Sequence, residues 1–271
     1  MTRMSPIAAA TLLDELTAIA VRAMEAIRAV PAFNVPHKLK LDQSPVTAAD
    51  EASEAVILDG LRRTLPELPA VSEEAFNRAP PATIADTFVL VDPLDGTREF
   101  LAGLDEYAVN IAIVSGGEPV AGVIAAPARG LIWRGANGRA ERLQHFGRGA
   151  IGGHTPIRTR AWPAADAIAT VSRSHLDEAT DACLARMTVT RQPCGSAIKF
   201  CRLAEGTADI YPRCGPTSEW DIAAGHAILV AAGGMMTAPD GQPLRYGALA
   251  QGFRVPGFIA WGDPQRASAH N

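Results

Sequence analysis

The chain has 271 residues, 48% of them hydrophobic and 20% charged, enough for two modest domains or one large one around a substantial core. Its 24 glycines and 20 prolines are ordinary for a globular protein and exclude fibrous or low-complexity classes. A formal charge of −4 excludes general affinity for nucleic-acid polymers, so a polyanionic ligand would need a local cationic site or a metal.

Leu12, Leu16 and Ile19, with Leu13, Ala20, Met24 and Ile27, recur at three- and four-residue steps and predict a helix over residues 8–29 that Pro31 ends. Asp14, Glu15 and Glu25 interrupt that apolar stretch, which argues against a signal peptide. No transmembrane run of about 18 apolar residues occurs. A loop leads to Pro45, and a second helix is expected from Thr47 to about Leu65. Residues 87–91 read as a buried strand. Residues 107–143 read as an antiparallel meander with a tight hairpin at Asn137-Gly138. Residues 145–164, rich in Gly, Pro and Thr, read as a loop. They divide an N-terminal α+β domain, residues 1–150, from a C-terminal α/β domain, residues 151–271. Beyond them, strands near 167–171, 188–191, 208–211 and 255–261 alternate with helices near 176–186, 196–205 and 219–232.

Two features point away from function. Gly147, Gly149 and Gly152 match the spacing of a dinucleotide fingerprint, but no strand precedes them and Pro156 opposes a following helix, so a loop is expected. Cys183, Cys194, Cys201 and Cys214 form no C-x-x-C pair and read as reduced, mostly buried thiols of a cytoplasmic protein.

The informative stretch is "VDPLDGT", residues 91–97, at the end of the buried strand. Proline fixes one φ angle and donates no hydrogen bond. It turns the chain so that the Asp92 and Asp95 carboxylates and the Leu94 carbonyl can point to one place. Gly96-Thr97 then opens a short helical pattern, where free backbone amides suit an anion. Carboxylates suit a hard cation, so a divalent metal bridging to a phosphate reconciles the two. Glu73 in Ser72-Glu73-Glu74, Asp221 opening an apolar helix, and Asp50 three residues after Thr47 are further candidates. Each alone reads better as a solvated strand end or a helix cap. Together they would be costly: two like charges about 4 Å apart repel by roughly 4 kcal/mol at an effective dielectric near 20. A converged cluster therefore implies raised pKa values or bound cations.

"SPVTAAD" (44–50), "SEE" (72–74), "DPLDGT" (92–97) and "WDIAAG" (220–225), in that order, resemble the Mg²⁺-dependent, lithium-sensitive inositol monophosphatase superfamily. "VSRSH" (171–175), "GSAIKFCRLAEGTADIYPR" (195–213) and "GPTSEWDIAAGHA" (215–227) are most similar to its CysQ-type 3′(2′),5′-bisphosphate nucleotidases. Three positions depart from the pattern: "LAGLDEYAVN" replaces an Asn-Gly-Glu-Phe-like loop, Ala197 replaces a serine, and Cys214 replaces a frequent Phe.

The resemblance implies a layered αβαβα sugar-phosphatase fold. It implies two or three Mg²⁺ held by Glu73, Asp92, Asp95, Asp221 and the Leu94 carbonyl. Thr97 and Asp50 resemble the pair that orients and deprotonates the attacking water, so Asp50, Thr97 and Glu73 are the expected catalytic residues. The amides of Gly96 and Thr97 are expected to hold the phosphate, with Leu94, Asp95 and Asp221 beside it. Ser172, Ser174, His175, Lys199 and Arg213 are the expected nucleotide contacts. The implied substrate is adenosine 3′,5′-bisphosphate, a small phosphate ester, cleaved to AMP and phosphate in the cytoplasm, with peripheral attachment to the inner membrane left open. An inositol or sugar monophosphate is the alternative substrate, and a metal-binding module without catalysis is the competing class. The superfamily is commonly dimeric, so a homodimer is among the expected states.

Overall fold

The structure is a computed structural model in which residues 11–31, 37–39, 45–173 and 177–270 are described. The elements run α1 (Leu13–Ala29), β1 (His37–Leu39), β2 (Pro45–Thr47), α2 (Ala48–Thr64), β3 (Ala70–Ser72), α3 (Glu73–Arg78), β4 (Thr87–Asp95), α4 (Thr97–Leu101), β5 (Ala108–Ser115), β6 (Glu118–Ala126), β7 (Leu131–Ala136), β8 (Arg139–Gly147) and β9 (Ala150–Pro156). There follow β10 (Ile168–Ser172), α5 (Glu178–Ala185), β11 (Thr190–Cys194), α6 (Ile198–Ala204), β12 (Ile210–Arg213), β13 (Thr217–Ser218), α7 (Glu219–Ala231), β14 (Met235–Thr237), β15 (Arg254–Val255), β16 (Phe258–Trp261) and α8 (Pro264–His270).

Strands β3 to β9 form a seven-stranded sheet in sequence order, with only the β3–β4 pair parallel. Alternation along β4 divides its side chains between two cores. Val89 and Val91 pack with Leu16, Ile19 and Met24 of α1 and Ile57 of α2. Phe88 and Leu90 face Phe200 of α6 and Trp220 and Ile222 of α7. A strand covered on both faces has no polar alternation, which is why residues 88–91 are all apolar. The second sheet, in the order β11-β10-β12-β16-β14, lies on the far side of α6 and α7. Its outer face packs Ala169, Val171 and Trp261 against Leu184 of α5 and Ala267 of α8. Helix pair, sheet, helix pair, sheet, helix pair is the expected αβαβα layering.

Helix α7 has no solvent stripe to speak of, because it is enclosed between sheets. It lies flush on the seven-stranded sheet: a Cβ on Gly122 of β6 would sit 2.4 Å from the carbonyl oxygen of Ala224. On the helix itself, a Cβ on Gly225 would sit 2.2 Å from the Phe200 ring. The small residues of "WDIAAGHA" thus set the depth at which the helix, and the Asp221 at its start, meets the sheet.

The Asn137-Gly138 hairpin forms as expected, both residues having positive φ (48° and 70°). Residues 150–156, expected as loop, instead pair with β8 as an edge strand. Six of its seven residues are exposed, so no apolar alternation marks it. The Gly147–Gly152 stretch does follow a strand, β8, contrary to expectation, but it turns back at Arg148-Gly149 into β9 and no helix follows it. The seven-stranded sheet ends at Pro156 and the second sheet begins at Ile168. The short strands β3 and β14 and the helix α3 were not signalled by periodicity, being too short to show one.

Gly122→Ala should lower stability by about 1–3 kcal/mol, the usual cost of overpacking. Urea unfolding of the parent and variant measures it; an unchanged midpoint would mean that α7 does not sit flush on β6.

Candidate active site

The Asp92–Asp95 stretch is a β-bulge. In the β4–β5 ladder Asp92 pairs with Asn110 and Asp95 with Ala108, so β4 carries one extra residue there. Pro93, which has no N–H to give, occupies the interruption. Asp92 is 2% exposed and its Oδ1 accepts the Leu94 amide at 3.0 Å. Ser53 Oγ donates to the Pro93 carbonyl at 2.7 Å and pins the bulge to α2. Because β3 runs parallel to β4 with Ser72 opposite Val91, Glu73 and Asp92 follow at neighbouring strand ends.

Asp50 and Asp221 each occupy the third residue of a helix and cap it backwards. Asp50 Oδ2 accepts the Thr47 amide at 2.8 Å and the Thr47 hydroxyl at 2.6 Å. Asp221 Oδ2 accepts the Ser218 amide at 3.1 Å and a short hydrogen bond from the Thr217 hydroxyl. The second oxygen, Asp50 Oδ1, lies 3.1 Å from Thr97 Oγ1, whose other near acceptor is the Leu94 carbonyl at 3.1 Å. Thr97 and Asp50 are thus in direct contact. Gly96, at φ 92°, makes the left-handed turn that starts α4.

Asp95 Oδ2 accepts the Ala197 amide at 2.6 Å and Asn110 Nδ2 at 3.2 Å. Desolvation, then the charge of Asp221, pushes its carboxyl up to about 6, against the opposing pull of Lys199 and these two donors. Lys199, 3% exposed, donates to the carbonyls of Ser196 at 2.7 Å and Cys194 at 3.2 Å, with its ammonium 5.0 Å from the Tyr211 ring centroid. Arg213 donates to the Pro216 carbonyl at 3.1 Å.

One cavity of about 220 Å³ gathers these groups. Glu73, Asp92, Leu94, Asp95, Gly96, Thr97 and Asp221 line it, as do Ser172, Lys199 and Arg213. Asp50 stands behind Thr97. Ser174 and His175 lie outside the described residues. Sequence reasoning did not single out Ser53 and Glu54, although both share a helical face with Asp50. Glu54, 3% exposed, accepts Ser72 Oγ at 2.7 Å and the Ala75 amide at 2.8 Å, and so fixes the start of the helix bearing Glu73. It also missed Arg254, which reaches the cavity and donates to Ser218 Oγ at 3.1 Å.

The expected donor set is all hard oxygen, four carboxylates and one carbonyl, which fits Mg²⁺ rather than a soft metal. The raised Asp95 carboxyl fits it too, since a neighbouring cation would favour its charged form. Among the described residues no three Asp, Glu, His or Cys side chains are gathered as ligands around one point. The donors named above engage one oxygen each of Asp92, Asp95 and Asp221.

Residues 9–259 match the inositol monophosphatase family. The chain belongs to that family. Within it, the chain is 40% identical over 254 residues to the 3′(2′),5′-bisphosphate nucleotidase CysQ of Salmonella typhimurium, covering 91% of this chain and 98% of the relative. It is 39% identical over the same shares to the nucleotidase of that name from Escherichia coli K12. Among solved structures, CysQ from Bacteroides thetaiotaomicron superposes with a TM-score of 0.76 at 33% identity, over 93% of this chain and 97% of that one. An inositol monophosphatase from Anabaena gives 0.72 at 26% identity, over 96% and 94%. The layered sugar-phosphatase fold of the family is the fold described above.

Asp95→Asn separates function from stability. A carboxyl raised to about 6 from its ordinary 3.8 costs the fold nothing below pH 3.8 and its full penalty above pH 6. The variant should therefore lose turnover, yet in chelator at pH 8 its Tm should equal or exceed the parent's by roughly 2–4 °C, a gap that closes towards pH 4. Near-normal turnover at saturating Mg²⁺ would remove Asp95 from the metal site.

Proposed function

We propose that this protein is a Mg²⁺-dependent phosphomonoesterase that hydrolyses the 3′-phosphate of adenosine 3′,5′-bisphosphate to AMP and inorganic phosphate. The observation that carries the chemistry is the cavity lined at once by the oxygen donors, by Thr97 with Asp50 behind it, and by Lys199, Arg213 and Arg254. The substrate follows from the CysQ nucleotidases to which nine-tenths of the chain aligns.

Glu73, Asp92, Asp95, Asp221 and the Leu94 carbonyl would hold two or three magnesium ions. Bound there, the ions supply a Lewis acid for the phosphoryl oxygens, a more acidic water and charge neutralisation at the leaving oxygen. Thr97 orients the attacking water through its hydroxyl. A threonine hydroxyl is too weak a base by itself, but Asp50 Oδ1 at 3.1 Å receives the proton it relays. Thr47 fixes Asp50 for this by occupying the other carboxylate oxygen. The amides of Gly96 and Thr97 hold the phosphate. Water oxygen bonds to phosphorus as the P–O3′ bond breaks in line, and the 3′ oxygen takes its proton from solvent water as the alcohol leaves. Ser172, Lys199 and Arg213 form the nucleoside side. On this reading residues 1–150 contribute the catalytic pair and most metal ligands, and residues 151–271 contribute Asp221 and the substrate wall.

The test is phosphate release by purified protein with Mg²⁺ from adenosine 3′,5′-bisphosphate, inositol 1-phosphate and fructose 1,6-bisphosphate. The nucleotide should have the highest kcat/KM, and lithium should inhibit. A preference for inositol 1-phosphate would keep the metal chemistry and overturn the substrate. Thr97→Ala and Asp50→Asn should each lower kcat about 10²–10⁴-fold. Their losses should be non-additive when combined, since the two act as one relay.

A further inference from the structure

The loop that departs from the family pattern, "LAGLDEYAVN", carries a buried acid with no part in the chemistry above. Glu106 is 6% exposed. It takes a two-pronged grip on Arg173, whose Nε lies 2.9 Å from Oε2 and whose Nη2 lies 3.2 Å from Oε1. Its Oε2 also accepts the Gly195 amide at 2.8 Å. Arg129 and Arg202 stand further out, at 3.8 and 3.9 Å. Burial alone would raise this carboxyl, but the Arg173 and Gly195 hydrogen bonds and the surrounding cations hold it below the ordinary carboxylate range.

The backbone of Glu106 is wedged between two glycines. A Cβ on Gly96 would meet its carbonyl oxygen at 3.1 Å, and a Cβ on Gly195 would meet the same atom at 2.6 Å. Gly96 belongs to the expected phosphate loop. Gly195 precedes Ser196, which is held at φ 49°, a left-handed angle unusual for serine. Lys199 holds the Ser196 carbonyl from beyond. Arg173 follows Ser172 at the end of β10. One side chain therefore ties both segments of the substrate wall, 172–173 and 195–199, to the loop beside the phosphate.

We propose that Glu106 is a positioning residue for nucleotide selectivity: through Arg173 and the Gly195 amide it sets the wall that receives the nucleoside, without touching the reacting atoms. The proposal rests on the nucleotidase reading of the site. A small ester with no nucleoside, such as p-nitrophenyl phosphate, uses the phosphate and metal side but not this wall.

Glu106→Gln keeps the size of the side chain and an acceptor for Gly195, but removes the charge that Arg173 grips. It should raise KM for adenosine 3′,5′-bisphosphate about tenfold, with kcat within a factor of two, and leave kcat/KM for p-nitrophenyl phosphate unchanged. Arg173→Ala should produce the same split, the double variant should add little to either, and Arg173→Lys should restore part of the loss. An equal fall on both substrates would overturn the proposal in favour of an effect on Asp95 through Ala197 or on the fold. An unchanged KM for the nucleotide in Glu106→Gln would also overturn it. Failure of the parent enzyme to prefer the nucleotide would instead sink the substrate assignment, and this inference with it.

Discussion

Repulsion among like charges is the constraint around which the rest of the molecule is arranged. Glu73, Asp92, Asp95 and Asp221 open on one cavity, and without support they would spread apart or take up protons. The described donors to Asp92, Asp95 and Asp221 are dipoles rather than counter-ions: the Leu94 amide, the Ala197 amide with Asn110, and the Ser218 amide with the Thr217 hydroxyl. Dipoles hold a carboxylate in place without cancelling its charge. The negative potential stays available for a divalent cation, while the Lys199 ammonium is tied to backbone carbonyls.

Those dipoles come from four directions, so the site depends on the layers being stacked at fixed depth. The bulge of β4 is pinned to α2 by Ser53, and Asp221 is brought down by a helix that rests on Gly122. Ala197 approaches from α6, in the same middle layer. Interiors packed at crystal-like density transmit small displacements, so the middle helix layer governs the geometry of the carboxylates as much as the motif does.

Much of this was legible because local sequence and local structure agree. The helical face of α1 follows from period, the turn after the buried strand from a proline between two acids, and the backward cap of Asp50 from its spacing after Thr47. What was not legible depends on partners distant in sequence. Glu54 looks like one more charge on an exposed helix until Ser72 and Ala75 are seen to share it. Glu106 looks like a loop acid until Arg173 and Gly195 arrive from the other half of the chain. Gly122 in a strand reads as a weakness until Ala224 is placed against it. Strand β9 was missed for the opposite reason, since it buries almost nothing.

That last strand ends the larger sheet, and its irregularity has a use of its own. An open edge of unpaired amides and carbonyls invites further strands and so aggregation. Here the β8–β9 ladder slips register twice, between Arg142 and Gln144 and between His145 and Gly147. Gly152 and Gly153 interrupt the strand, and Pro156 withholds an amide at its end. The outermost surface of the sheet is therefore a poor template for another chain. That lets a wide, nearly all-antiparallel sheet stop growing at its seventh strand without being closed into a barrel.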